Sequence, residues 1–161
     1  MKRIGIITDT HGDRGHMESA LMKMEIAAGG PLDTLIHCGD HARDASWIGR
    51  NILQVLPVRG NCDPWDDDIP EDRLIQIDGI RFFITHGHRY EVKRGTSFLS
   101  SCAASKGAQI CCFGHTHALY HACEDGVLMI NPGACLYTGS CALVLSSGNG
   151  KYEAKLLSYR S

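Results

Sequence analysis

The chain has 161 residues, 43% of them hydrophobic and 21% charged, which is the size and balance of one globular domain and argues against disorder or a fibrous repeat. Sixteen Lys and Arg against eighteen Asp and Glu leave a formal net charge of −2, so nothing draws the chain as a whole to nucleic acid or to an anionic membrane. No apolar run approaches the roughly 18 residues that cross a bilayer, and Ile4–Ile7 is too short for a signal-peptide core, so the expectation is a cytoplasmic, unprocessed chain forming a single domain over 1–161.

Lys2–Thr8 reads as a short buried strand ended by Asp9-Thr10-His11-Gly12. Met17, Leu21, Met24 and Ala28 recur at helical spacing, which predicts a helix over Arg14–Ala28 stopped by Gly29-Gly30-Pro31. Leu35–Cys38 is a second strand running into Gly39-Asp40, Asp44–Leu53 a second helix, and Val55–Val58 a third strand running into Gly60-Asn61. This alternation is the mark of parallel pairing. Arg73–Ile77 and Arg81–Thr85 are strands joined at Asp78-Gly79, a two-residue hairpin signal, and the second runs into His86-Gly87-His88. A helix over Thr96–Lys106 leads to the strand Gln109–Phe113 and then to Gly114-His115-Thr116-His117. The last third reads as all-β: Leu119–Cys123, Val127–Ile130, Cys141–Leu145 and Tyr152–Leu157. Helices concentrated in front and strands behind predict a mixed α/β sandwich.

Eight cysteines are the compositional oddity. Several lie in apolar runs such as Ala108-Gln109-Ile110-Cys111-Cys112-Phe113, and no C-x-x-C pair exists, so reduced core thiols are expected in place of disulfides or a zinc ribbon.

Five strand ends are followed at once by side chains of metal-ligand type: Asp9 and His11, Asp40, Asn61, His86, then His115 and His117. Ligands of open α/β sheets bind outside the carboxyl ends of the strands, so these seven can meet at one rim. Two carboxylates, one amide oxygen and four imidazoles form a mixed N/O set without thiolate, suited to Mn, Fe, Zn, Co or Ni before Ca. Seven ligands exceed one tetrahedral ion, whereas a shared carboxylate gives each of two ions four ligands, about 3.5–4 Å apart in binuclear hydrolases.

In this order the motifs D-x-H (Asp9, His11), G-D (Asp40), G-N (Asn61), H (His86) and G-H-x-H (His115, His117) resemble the calcineurin-like metallophosphoesterases. The short length, Gly60-Asn61-Cys62-Asp63, Thr85-His86-Gly87-His88 and Asn131-Pro132-Gly133 look most like the small bacterial and archaeal phosphodiesterases of the YfcE type. The resemblance implies a four-layer αββα sandwich of two mixed β-sheets flanked by helices. It assigns one ion to Asp9, His11, Asp40 and His117 and the other to Asp40, Asn61, His86 and His115, with Asp40 as bridge. Mn2+ is the leading metal, and Ni2+, Zn2+, Fe2+, Co2+ and Mg2+ are compatible. The implied activity is a phosphodiesterase acting on a small phosphodiester or nucleotide-like ester through a metal-activated hydroxide, which needs no protein nucleophile.

Larger relatives place a His after the Asn of the G-N motif, where it can protonate the leaving oxygen. Here Cys62 and Asp63 follow, which are candidates for leaving-group or substrate contacts; leaving groups that need no proton are therefore favoured. The alternatives are a phosphomonoesterase acting on a nucleotide or phosphometabolite, and a non-catalytic interaction scaffold of the same fold, which has no need of a full imidazole set. A nuclease is disfavoured by the acidic balance, and a homo-oligomer is compatible with the resemblance. Read singly, His16 and His37 are structural or exposed histidines, while His41 and His88 flank ligand positions. Arg89, Lys93 and Arg94 fit either a second phosphate or a solvated helix start, and Asp66-Asp67-Asp68 fits a solvated acidic loop.

Overall fold

A computed structural model describes residues 1–47 and 53–160. The strand β1 (Lys2–Ile7) lies parallel to β2 (Thr34–His37), which lies parallel to β3 (Gln54–Pro57). Between β1 and β2 runs α1 (Arg14–Ala28), at the predicted bounds. The Asp13 carboxylate caps it by accepting the His16 N–H at 2.9 Å, and Gly29 ends it in the left-handed region. The predicted helix over Asp44–Leu53 differs: Ala42–Trp47 is a 3-10 segment, because the Asp44 carboxylate turns back to the first loop, and residues 48–52 lie outside the described residues.

The Asp78-Gly79 turn, positive in φ at both residues, joins β4 (Asp72–Ile77) to β5 (Ile80–Thr85) as the sequence predicts. Next come α2 (Ser97–Ser105), β6 (Ile110–Cys112), β7 (Leu119–Glu124), β8 (Val127–Pro132), the one-turn α3 (Cys135–Thr138), β9 (Ser140–Gly148) and β10 (Lys151–Ser158). The final strands do not form a separate unit. β7 and β8 complete a second sheet of order β4-β5-β6-β8-β7, while β9 and β10 return to the first, giving β10-β9-β1-β2-β3. Both sheets are mixed: in the first, antiparallel β10-β9-β1 continues into parallel β1-β2-β3, and in the second, antiparallel pairs flank a parallel centre.

Period-two alternation builds the layers. Ile4, Ile6 and Ile36 face Phe82, Ile84, Ile110 and Ile130 of the other sheet across a fully buried core. Ile7 and Leu35 point the other way, onto Met17 and Met24 of α1. Phe83, Cys111 and Met129 turn likewise onto Leu99 and Ala103 of α2. The result is helix, sheet, sheet, helix: the four-layer αββα sandwich. Gly5 permits the close approach of α1, since a Cβ there would stand 2.6 Å from Leu32 Cδ1 and 2.8 Å from Met24 Sδ. All eight cysteines are free, five of them buried.

Candidate metal centre

Each ligand loop leaves the carboxyl end of a strand, and main-chain bonds sew the loops together. Asp9 N–H donates to Gly39 O at 2.9 Å, and Gly114 N–H to His86 O at 2.9 Å. The glycines of the motifs are needed for close approach. A Cβ on Gly39 would lie 2.7 Å from His86 Nδ1, one on Gly60 would collide with the Asp40 carboxylate, and one on Gly114 would collide with Thr8 Oγ1. Asp9, His11, Asp40, His41, His115 and His117 all adopt positive φ, between 49° and 70°. Backbone strain is therefore gathered at this rim, tolerated because Asp and His enter the left-handed region more readily than most residues.

Asp9, His11, Asp40 and His117 each offer a ligand atom within 4.8 Å of the other three, a grouping that can hold a metal ion. His117 Nε2 is 3.2 Å from Asp9 Oδ1, and His86 Nε2 is 3.4 Å from Asp40 Oδ1. Around the second predicted set, the His86 and His115 rings are 5.1 Å apart. Asn61 is exposed, with its amide nitrogen 3.7 Å from Cys62 Sγ. Asp9 Oδ1, His11 Nε2 and His86 Nε2 are buried without hydrogen-bond partners among the described residues. Each such orphan costs about 1–3 kcal/mol, a penalty that coordination removes, so the donor set fits divalent metal.

The electrostatics follow from burial and proximity. Burial raises the Asp9 carboxyl above its ordinary value, against the pull of His86. For Asp40 burial works in the same sense, but His86 and the Cys62 N–H, donating at 2.9 Å, outweigh it and hold the carboxyl well below the usual range. His115 is pushed down to about 4 by burial, by His86 and by Lys93, so its ring is neutral and competent to ligate. Burial raises the Cys62 thiol to about 11, helped by Asp40, so it keeps its proton at neutral pH.

Asp63 is buried, and its carboxylate accepts from His41 N at 2.6 Å, Gly60 N at 2.9 Å and Ala42 N at 3.4 Å. Its oxygens thus brace the loops that carry Asp40 and Asn61. His37 is completely buried: Nδ1 accepts from Gly39 N–H at 3.1 Å, leaving the proton on Nε2, which donates to Thr10 Oγ1 at 2.9 Å. Thr10 in turn donates to Asp44 Oδ2 at 2.6 Å, which also takes the Gly12 N–H at 2.7 Å. This chain ties the Asp9/His11 loop to the Asp40 loop, and no local motif in the sequence announces it. Asn131 holds the His115/His117 loop, donating to Gly114 O at 3.2 Å and Thr116 Oγ1 at 3.0 Å. Tyr137, on α3, packs its ring 5.5 Å from that of His11 and 5.1 Å from that of His117 while remaining 55% exposed.

The calcineurin-like phosphoesterase superfamily domain matches residues 1–144, and with them every ligand-type side chain described above. The chain belongs to that superfamily. Among its metallophosphoesterase relatives is phosphodiesterase MJ0936 of Methanocaldococcus jannaschii, 32% identical over 151 residues covering 83% of this chain and 84% of that protein. The solved structure of an archaeal phosphodiesterase superposes with a TM-score of 0.72 at 28% identity, over 96% of this chain and 99% of the other. The fold is also that of vacuolar protein sorting 29 from Cryptosporidium parvum, with a TM-score of 0.73 at 19% identity over 97% and 96% of the two chains. Among the described residues, no helix is long and apolar enough to cross a membrane.

The basic and acidic runs resolve by pairing. Arg43 bonds Asp66 at 2.8 Å and Asp68 at 2.5 Å, and Arg59 bonds Asp67 and Glu71, so the acidic loop is largely neutralised. Arg89 is consumed by Glu71 at 3.0 Å and Asp72 at 3.3 Å, while Lys93 makes no ion pair among the described residues.

Proposed function

We propose that this chain is a metal-dependent phosphodiesterase that cleaves a small phosphodiester at a binuclear centre. The observation that carries the proposal is the quartet Asp9, His11, Asp40 and His117, drawn within 4.8 Å while buried Asp9 Oδ1 and His11 Nε2 stay unpartnered. In this reading Asp40, at 3.4 Å from His86, would serve both this quartet and a second set with Asn61, His86 and His115. Divalent ions held by these residues would supply a nucleophilic water near neutral pH and positive charge for the phosphoryl oxygens.

The residues prepare that chemistry in three ways. The depressed Asp40 carboxyl is ionised, and the lowered His115 is neutral, so neither must lose a proton to bind metal at neutral pH. The network through His37, Thr10, Asp44 and Asp63 holds the loops in register, which keeps the ligand atoms from relaxing apart. Cys62, protonated up to about 11, is a weaker acid than an ordinary thiol. Esters whose leaving group departs without a proton, such as aryl diesters, are therefore the favoured substrates.

The deciding experiment compares bis-p-nitrophenyl phosphate and p-nitrophenyl phosphate with chelator-stripped protein, before and after Mn2+ is added. Metal-dependent cleavage of the diester over the monoester is expected. Preference for the monoester overturns the diester assignment in favour of a phosphomonoesterase. A folded, metal-loaded protein inert to both esters with each divalent ion makes the chain an interaction scaffold.

A further inference from the structure

A cleft of about 460 Å³ opens beside the His115-Thr116-His117 loop, walled by Val92–Thr96 on one side and by Thr116, Ala118 and Tyr120 on the other, with Phe113 at its base. That volume lies in the range of small-ligand sites, about 300–1,000 Å³. Its floor is aromatic: the Phe113 and Tyr120 rings meet edge to face at 6.1 Å. Its rim is basic. Lys93 is exposed and without an ion pair among the described residues, and its charge is felt by His115; Arg94 has only a loose partner in Glu91 at 3.8 Å, with both side chains open to solvent.

Thr116 joins the cleft to the metal centre. Its Oγ1 accepts from Asn131 Nδ2 at 3.0 Å and from Ala118 N–H at 3.2 Å, which uses both lone pairs. Its own hydroxyl proton has no acceptor among the described residues and is free for a ligand. Behind the cleft, the Glu124 carboxylate accepts from the hydroxyls of Thr96, at 2.7 and 2.8 Å, and Tyr120, at 2.6 Å. An anion on the rim therefore meets the unpaired Lys93, the exposed Arg94 and a free donor on Thr116.

We infer that this cleft is a substrate subsite for the aromatic half of a nucleotide-type ester, its ring lying against Tyr120 and Ala118 and a second phosphate meeting Lys93 and Thr116. The inference rests on the phosphodiesterase reading for its purpose but not for its test, because the subsite is formed by side chains that hold no metal. It also explains why Lys93 stays unpaired while nearby Arg89 is consumed by Glu71 and Asp72.

The test is an NMR titration of the metal-free, 15N-labelled chain with ADP, and separately with adenosine and with pyrophosphate. ADP is expected to shift the amides of Val92–Thr96 and Thr116–Tyr120 and to bind more tightly than either fragment. Lys93→Glu should weaken ADP about tenfold, the typical weight of a charge-assisted contact, and adenosine far less. Ala118→Trp, at an exposed position that tolerates bulk, should fill the cleft and abolish ADP shifts while leaving the rest of the spectrum folded. No binding, shifts confined to other surfaces, ADP affinity unchanged by Lys93→Glu, or pyrophosphate binding as tightly as ADP would each overturn the subsite. A chain that binds ADP here yet hydrolyses no diester when metal-loaded would instead refute the catalytic reading and leave the subsite standing.

Discussion

His37 offers a direct test of how the loops are held. It is fully buried, and burial above all, followed by the charge of His86, lowers its pKa from the ordinary 6.5 to about 3. The folded ring is therefore neutral over the working range, as its bonds require: Nδ1 must accept from Gly39 N–H while Nε2–H donates to Thr10. A group whose folded pKa lies below its unfolded value gives stability that is complete above the unfolded pKa and is lost as pH falls towards the folded one. Between about pH 6.5 and 3 the unfolded chain binds the proton and the folded chain does not, at about 1.4 kcal/mol per pH unit. Near pH 5 the loss is about 2 kcal/mol, and it depends on the unfolded value alone so long as the folded pKa lies well below 5. Against a total stability of about 5–15 kcal/mol for a domain, that is a large fraction.

His37→Asn separates this contribution from the other titrations. The Asn side-chain oxygen can replace Nδ1 as acceptor for Gly39 N–H, while the bond to Thr10 is lost, so at pH 7 the variant should be about 1–3 kcal/mol less stable. Urea unfolding of metal-stripped protein, followed by the fluorescence of Trp47 and Trp65, gives both values at pH 7 and pH 5. The lowered His115 and the raised Asp9 titrate in both proteins and largely cancel in the comparison. The expected result is an acid-induced loss smaller by about 2 kcal/mol in the variant. An equal or greater loss in the variant, at unchanged urea slope, would refute the claim that His37 is held neutral by burial.

Three other outcomes follow from the site. Asp40→Ala should abolish diester cleavage and the binding of two ions together, measured by metal content after dialysis; an active variant retaining both ions would sink the shared-carboxylate arrangement. Asp63→Ala leaves the N–H groups of Gly60, His41 and Ala42 without their acceptor and should destabilise the fold by about 2–4 kcal/mol in urea, whereas a change below about 0.5 kcal/mol would show that the carboxylate braces nothing. Tyr137→Ala, at a half-exposed ring beside His11 and His117, should raise KM for aryl diesters several-fold with metal content intact; unchanged KM would remove Tyr137 from substrate binding.

The grouping of Asp9, His11, Asp40 and His117 was legible because each stands a few residues after a strand end, so local pattern and site position coincide. The helix Arg14–Ala28 and the Asp78-Gly79 hairpin were legible for the same reason: spacing or turn chemistry alone specifies them. Three things were not. A four-residue helix such as Cys135–Thr138 is too short to show a period, and with it went Tyr137. The Ala42–Trp47 segment carried a helical composition, but the Asp44 carboxylate serves Thr10 and Gly12 some thirty residues away, a tertiary bond that overrides propensity. The return of β9 and β10 to the first sheet was equally hidden, since short alternating strands specify a face and not a partner.

What the sequence marks as ligands and what it leaves unmarked are parts of one physical arrangement. Polar side chains can stay buried and unpartnered, and Asp and His can hold positive φ, only if surrounding bonds over-determine the loops. Those bonds come from residues that carry no ligand signature: His37 and Asp44 between the first two loops, Asp63 between the second and third, Asn131 behind the last. His37 sits on β2 and Asn131 on β8, strands that the inter-sheet core fixes in place, so the packing of Ile6, Ile36 and Ile84 sets the separation across which the candidate ligands face each other. A conservative change in that core should therefore disturb metal affinity before it unfolds the chain, because the ligand geometry tolerates a smaller displacement than the hydrophobic contacts do.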